Sequence, residues 1–91
     1  MLVLPAELMH AQAPTCLHLL VEAVRAEQGA QVLIDATALM RFDSSALAVL
    51  LECRRACLLD GKRFAVRGLA PHLRELAELY GVMAMLPEPV L

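Results

Sequence analysis

An acid followed by two hydroxyls, Asp43-Ser44-Ser45, stands directly ahead of the apolar run Ala46-Leu47-Ala48-Val49-Leu50-Leu51. This order sets the serines at a helix N-terminus, where unpaired N–H groups and the positive end of the helix dipole favour an anion, including a phosphate esterified to a serine. Asp43 and Ser44 also suit plain helix capping, and the spacing leaves both readings open. Ala46 is small enough to let another backbone or side chain approach. Ser44 as a nucleophile would need a base beside it. His10, His18 and His72 are scattered, and no GxSxG turn surrounds the serine, so catalysis is not expected.

Cys53 and Cys57, four apart, share one helix face but supply only half a zinc site; core packing is the simpler role. With Cys16 the count is odd and no CxxC occurs, which argues against a disulfide framework or a metal centre and fits a reducing cytoplasm. Arg41 lies just before the serines, and Arg54 and Arg55 lie further along the helix that follows. They could meet an acidic partner surface or stand as solvated charges. Leu47 and Leu51 are expected to be exposed anchors for a partner, because this helix is apolar on more sides than a small sheet can cover. Met9, Met40, Met83 and Met85 read as gap-fillers, those near the loop and tail also as an adaptable docking surface.

Positioning these residues requires a scaffold, and the pattern supplies one. Met1 to Leu4 is a short apolar run stopped by Pro5 and reads as a strand. Leu17, Leu20, Val21 and Val24 then recur at helical spacing from Thr15 until Gly29. Gln31 to Ile34 is a continuous apolar run ending at Asp35, as expected of a central strand covered on both faces. A loop leads to Asp43, and the second helix runs to Asp60-Gly61. Arg63 to Val66 is a third strand, Pro71 opens a third helix that Gly81 closes, and the tail holds room for one short strand before Pro87 and Pro89. Alternating strands and helices predict an α/β fold: a small, mostly parallel or mixed sheet of about four strands with three or more helices packed on it. The whole chain, 1–91, is expected to be one domain. Its short N-terminus would leave a sheet edge uncovered, inviting weak dimerisation or partner pairing.

Composition narrows the function. Eight basic against ten acidic residues give a net charge of −2, and one Tyr with two Phe offers little to stack on bases, so nucleic acid is not an expected partner. Although 59% of residues are hydrophobic, charges interrupt every apolar run, so direct membrane insertion is not expected. No GxGxxG or GxxxxGK loop cradles a nucleotide, and no cofactor is implied.

The stretch VLIDATALMRFDSSALAVLL resembles the signature of the STAS family, shared by anti-sigma-factor antagonists and sulfate-transporter tails. There a strand ends in Asp or Asn, and eight residues on an Asp precedes Ser/Thr, Ser/Gly, Gly/Ala and Leu; Asp35, Asp43, Ser44, Ser45, Ala46 and Leu47 fill those places. Leu4-Pro-Ala-Glu-Leu8 is similar to the family's L-x-G-E-L, with Ala6 where Gly is usual and the strand before it missing or shortened. Leu76 to Val82 and Leu86-Pro87 resemble the last helix and tail of the MlaB-like branch, STAS subunits of a phospholipid-moving bacterial ABC transporter. That resemblance implies the STAS fold and a cytoplasmic, non-enzymatic role in docking on the transporter's ATPase subunit, with Ser44 at the hydroxyl position that matters for the contact. The antagonist branch implies instead that an anti-sigma factor acting as a serine kinase phosphorylates Ser44.

Overall fold

The computed structural model describes residues 1–90. Its elements follow as β1 (Leu2–Val3), β2 (Glu7–Leu8), α1 (Ala13–Ala26), β3 (Gln31–Asp35), β4 (Arg41–Phe42), α2 (Ser45–Leu59), β5 (Arg63–Arg67), α3 (Pro71–Leu79) and a 3₁₀ turn at Met83–Met85. Strands β1, β3 and β5 form one sheet in that order, all parallel, with β3 in the centre. Helices make both crossovers, because parallel neighbours need a connection long enough to return the chain to the same end. Three helices packed on a small parallel sheet match the expected α/β class.

Several local expectations change. A second parallel pair, β2 with β4, ties Glu7 to Arg41 and Leu8 to Phe42; two-residue strands leave no periodic pattern to read. The tail forms the 3₁₀ turn instead of a strand, and among the described residues its main-chain bond to the sheet is made by the Pro87 carbonyl, which accepts from the Val66 N–H at 2.8 Å. Strand β3 is central but not covered on both faces. Val32 and Ile34 alternate into the core beside Phe64 and Val66, whereas Leu33 faces the other way, half-buried and outside the core cluster.

Helix α2 packs against both α1 and β5, which explains its broad apolar girth. Leu47 is consequently 3% exposed and belongs to the core together with Ala46, Val49, Leu50, Cys53 and Cys57. The expectation of Leu47 as an exposed anchor is thus corrected: its side chain is spent on the domain's own core and is not available to a partner. Leu51 is half-buried and also packs on the core. Gly61 ends α2 at φ 71°, a conformation in which a side chain would strain, and lets the Lys62 N–H reach back to the Cys57 carbonyl at 2.8 Å. The Lys62 ammonium then donates to the Val24 carbonyl at 2.6 Å and pairs with Asp60, fastening the end of α1 to the entry of β5.

Candidate functional site

All the motif residues lie at one end of the sheet, where parallel strands finish and helices begin. Two acid-centred corners are built there. In the first, Asp35 closes β3: Oδ1 accepts the Thr37 N–H at 3.0 Å and the Thr37 hydroxyl at 2.6 Å, and Oδ2 receives Arg67 from the end of β5 at 3.4 Å. These Thr37 hydrogen bonds, with Arg67 in support, hold the Asp35 carboxyl below the usual carboxylate range. Gly68 follows Arg67 at φ 73°, and a Cβ there would run into the Thr37 methyl and lie 3.1 Å from the Thr37 nitrogen. Only glycine lets the β3 and β5 ends come this close.

The second corner is centred on Asp43. Its Oδ1 accepts the Ser45 N–H at 2.8 Å and its Oδ2 accepts the His10 N–H at 3.0 Å, from the loop after β2. These two backbone donors, Ser45 foremost, lower the carboxyl's pKa. Asp43 therefore performs the capping, while Ser44, at the N-cap position itself, makes no side-chain capping bond and is exposed. Capping accounts for the acid and leaves the first hydroxyl uncommitted. Among the described residues no side chain hydrogen-bonds the Ser44 hydroxyl, so no base is in place to activate it as a nucleophile.

Two shallow depressions lie at this end of the molecule, one of them reaching Ser45. On one side Ala13, Pro14 and Leu17 of α1 face Ser45, Ala48 and Val49 across a groove of about 320 Å³ that is almost wholly apolar. On the other, Met9, Met40, Arg41, Phe42, His72 and Leu76 line one of about 270 Å³, with the His72 ring edge-on to Phe42 at 6.1 Å. Met40 is largely exposed, and its flexible thioether can mould to a partner. Such a surface can bind.

The remaining sequence candidates separate. Arg41 borders the Met40 depression and pairs with Glu7 at 3.2 Å, so it stays at this end. Arg55 pairs with Glu52 at 3.7 Å on the exposed side of α2. Arg54 points toward the far part of β5, away from the serines, and lines a different groove with Arg63. Ala46 is wholly buried, so its size serves the domain's own packing. Burial pushes the Cys53 thiol up to about 12 and raises that of Cys57. Sequence reasoning missed Arg67, Gly68 and the His10 backbone. Gly68 was visible as a strand boundary, but no signal tied it or Arg67 to Asp35, or His10 to Asp43, across more than thirty residues.

A parallel sheet with an uncommitted hydroxyl at the start of its second long helix defines a binding module of the STAS class. The family model described as "Mlab, STAS domain" matches residues 1–87, and the chain belongs to that family. STAS domains are generally binding modules for other proteins, not enzymes. A solved structure titled an anti-sigma-factor antagonist (STAS) domain protein from Planctomyces limnophilus superposes with a TM-score of 0.79 at 21% identity, covering 94% of this chain and 77% of that one. At that identity the likeness establishes the fold. No curated protein sequence matches the chain. Among the described residues no helix is long and apolar enough to cross a membrane.

Proposed function

We propose that this domain is a non-enzymatic docking subunit of the MlaB-like kind, seating the Ser44 end on the cytoplasmic ATPase subunit of a phospholipid-transporting ABC system. The observation that carries this reading is the exposed, uncapped Ser44 at the end of the molecule that also carries an apolar groove and the Met40 depression, in a chain matched almost end to end by the MlaB family model. A small hydroxyl fits closely against a partner, and the Met40 and Leu17 sides supply apolar contact around it. Asp43 sets the position by holding the helix start and the β2 loop together.

A second reading draws on the same hydroxyl. An exposed serine with no internal bond is accessible to a kinase, so the domain would serve as an anti-sigma-factor antagonist switched at Ser44. A phosphate of nearly two negative charges beside Asp43 would repel and crowd the interface, making phosphorylation an off switch.

One experiment separates the two. The tagged protein is used to capture partners from its native cells, wild type beside Ser44→Asp, with mass spectrometry of the captured chains and of Ser44. Recovery of an ABC ATPase and permease, lost in the variant and with Ser44 unmodified, supports the transporter subunit. Recovery of a serine kinase together with phosphate on Ser44 overturns it in favour of the switch, and undiminished capture by Ser44→Asp removes Ser44 from both.

A further inference from the structure

The outer edge of β5 is only partly covered. Within a strand, successive residues turn their N–H and C=O groups to opposite sides. Arg63 donates its N–H to Ala30, and the Arg67 carbonyl accepts from Ala36, so the odd-numbered residues of β5 bond inward to β3. Phe64 and Val66 therefore turn their main chain outward. Val66 is met by the Pro87 carbonyl of the tail. Phe64, two residues earlier, has no backbone or side-chain partner for its N–H or C=O among the described residues. The described tail residues pass the same groove without a main-chain bond to Phe64: Glu88 pairs with Arg74 at 2.7 Å, and Val90 is 95% exposed.

Beside this vacant stretch lies a groove of about 540 Å³, walled by Leu58 of α2, by Phe64 and Ala65, and by Pro87. Arg54 and Arg63 line it as well. Among the described residues neither guanidinium takes part in an ion pair or a side-chain hydrogen bond, whereas Arg25, Arg41, Arg55, Arg67 and Arg74 all have acidic partners. Among the described residues, two cations without an ion pair thus sit next to a main-chain donor and acceptor without a partner on a sheet edge, in a groove that is otherwise largely apolar and whose one acid, Glu88, is paired with Arg74.

We infer that this edge of β5 is a second docking site, which takes an extended peptide strand carrying a carboxylate side chain. The strand would bond to the Phe64 main chain as an added β-strand does, and its acid would lie between Arg54 and Arg63. The Pro87 carbonyl already occupies the next outward position up the strand, so a peptide continues a pairing the fold has begun. An unpaired main-chain donor and acceptor select a peptide over a lipid, whose phosphate would satisfy only the guanidiniums. Arg54 lies ten residues beyond Ser44 on the same straight helix, roughly 15 Å along it, so the two sites are separate. A partner could hold both at once.

The test uses the full chain and a phage-displayed random heptapeptide library. Selected peptides are expected to be rich in β-branched residues around an Asp or Glu. The best of them, made synthetically, should shift the Phe64 amide in a ¹⁵N spectrum and the Arg54 and Arg63 side-chain signals. Replacing its acid by Lys should weaken it at least tenfold, and selection against Arg54→Glu/Arg63→Glu, checked for an intact amide spectrum, should turn to Lys- or Arg-bearing peptides. Ser44→Asp should bind the same peptide as wild type, so failure at the Ser44 end leaves this result readable. Enrichment without an acid, the same peptides on the double variant, or shifts confined elsewhere would overturn the inference. So would a concentration-dependent shift of Phe64 without peptide, which would assign the edge to a second copy, or saturation by phosphatidylglycerol vesicles with no peptide enriched.

Discussion

Asp35 and Asp43 end the same loop, and both carboxyls are held below their ordinary range by hydrogen bonds, yet the corners they build do opposite things. The Asp35 corner is closed on itself: the residue is 8% exposed, its oxygens serve Thr37 and Arg67, and Gly68 seals it. The Asp43 corner spends its acid on two main-chain donors and leaves the adjoining hydroxyl facing out. One motif thus holds the sheet ends together and, eight residues later, presents an unoccupied group at a fixed place. Scaffold and contact surface are separable, and mutations should separate them.

The largest effect on stability is expected at Gly68→Ala, which combines a strained φ with a clash against Thr37. About 2 kcal/mol or more should be lost in chemical denaturation. Adding Thr37→Ser, which removes the methyl and keeps the hydroxyl, should recover the clash but not the backbone strain; full additivity of the two changes would show that the corner is not packed as described. Asp35→Ala should follow, at about 2 kcal/mol, because it strips a charged acceptor from Thr37 and Arg67. Asp43→Ala should cost about 1 kcal/mol, the usual loss for a helix-start acceptor.

Ser44→Asp completes the series with stability within about 0.5 kcal/mol of wild type, since its hydroxyl bonds to nothing in the domain. Partner affinity should run the other way, with Ser44→Asp worst. A Ser44→Asp chain that melts early would undo the contrast between the corners. The smallest effect concerns pH. Both carboxyls have lowered folded pKa values, so their contribution is complete above the unfolded value near pH 4 and is lost as the solution is acidified below it. Asp35→Asn and Asp43→Asn should each flatten that acid limb in a urea series. The Cys53 thiol acts in the opposite sense: its raised pKa means stability falls as pH climbs from about 9 toward 12, and Cys53→Ala should reduce that alkaline loss, leaving the share of Cys57 and Cys16, while the acid limb stays unchanged.

The parts of this fold that were legible in the sequence are those where neighbours along the chain decide the outcome. Leu17, Leu20 and Val24 gave away α1 by their spacing, Pro71 and Gly81 bracket α3, and the hydroxyls fall at a helix start because an acid precedes them and an apolar run follows. What could not be read depends on contacts between distant residues. Leu47 looks like a surplus apolar residue until the assembled core is seen to bury it. Strands β2 and β4 are two residues each and exist only by pairing with one another. Ser44 was placed correctly at the helix start, but its freedom from capping follows from Asp43 reaching both Ser45 and His10, and His10 contributes only its main chain.

The two crossovers of the sheet have equal reach: Leu2 pairs with Ile34, and Gln31 with Arg63, at the same separation along the chain. Closing either loop costs the same entropy, so chain length gives neither pairing a head start. The difference lies in what closure returns. Joining β3 to β5 aligns five residue pairs and seats α2, while joining β1 to β3 aligns two. Folding should therefore begin with the β3–β5 pair, with β1 among the last strands to be fixed in the native sheet.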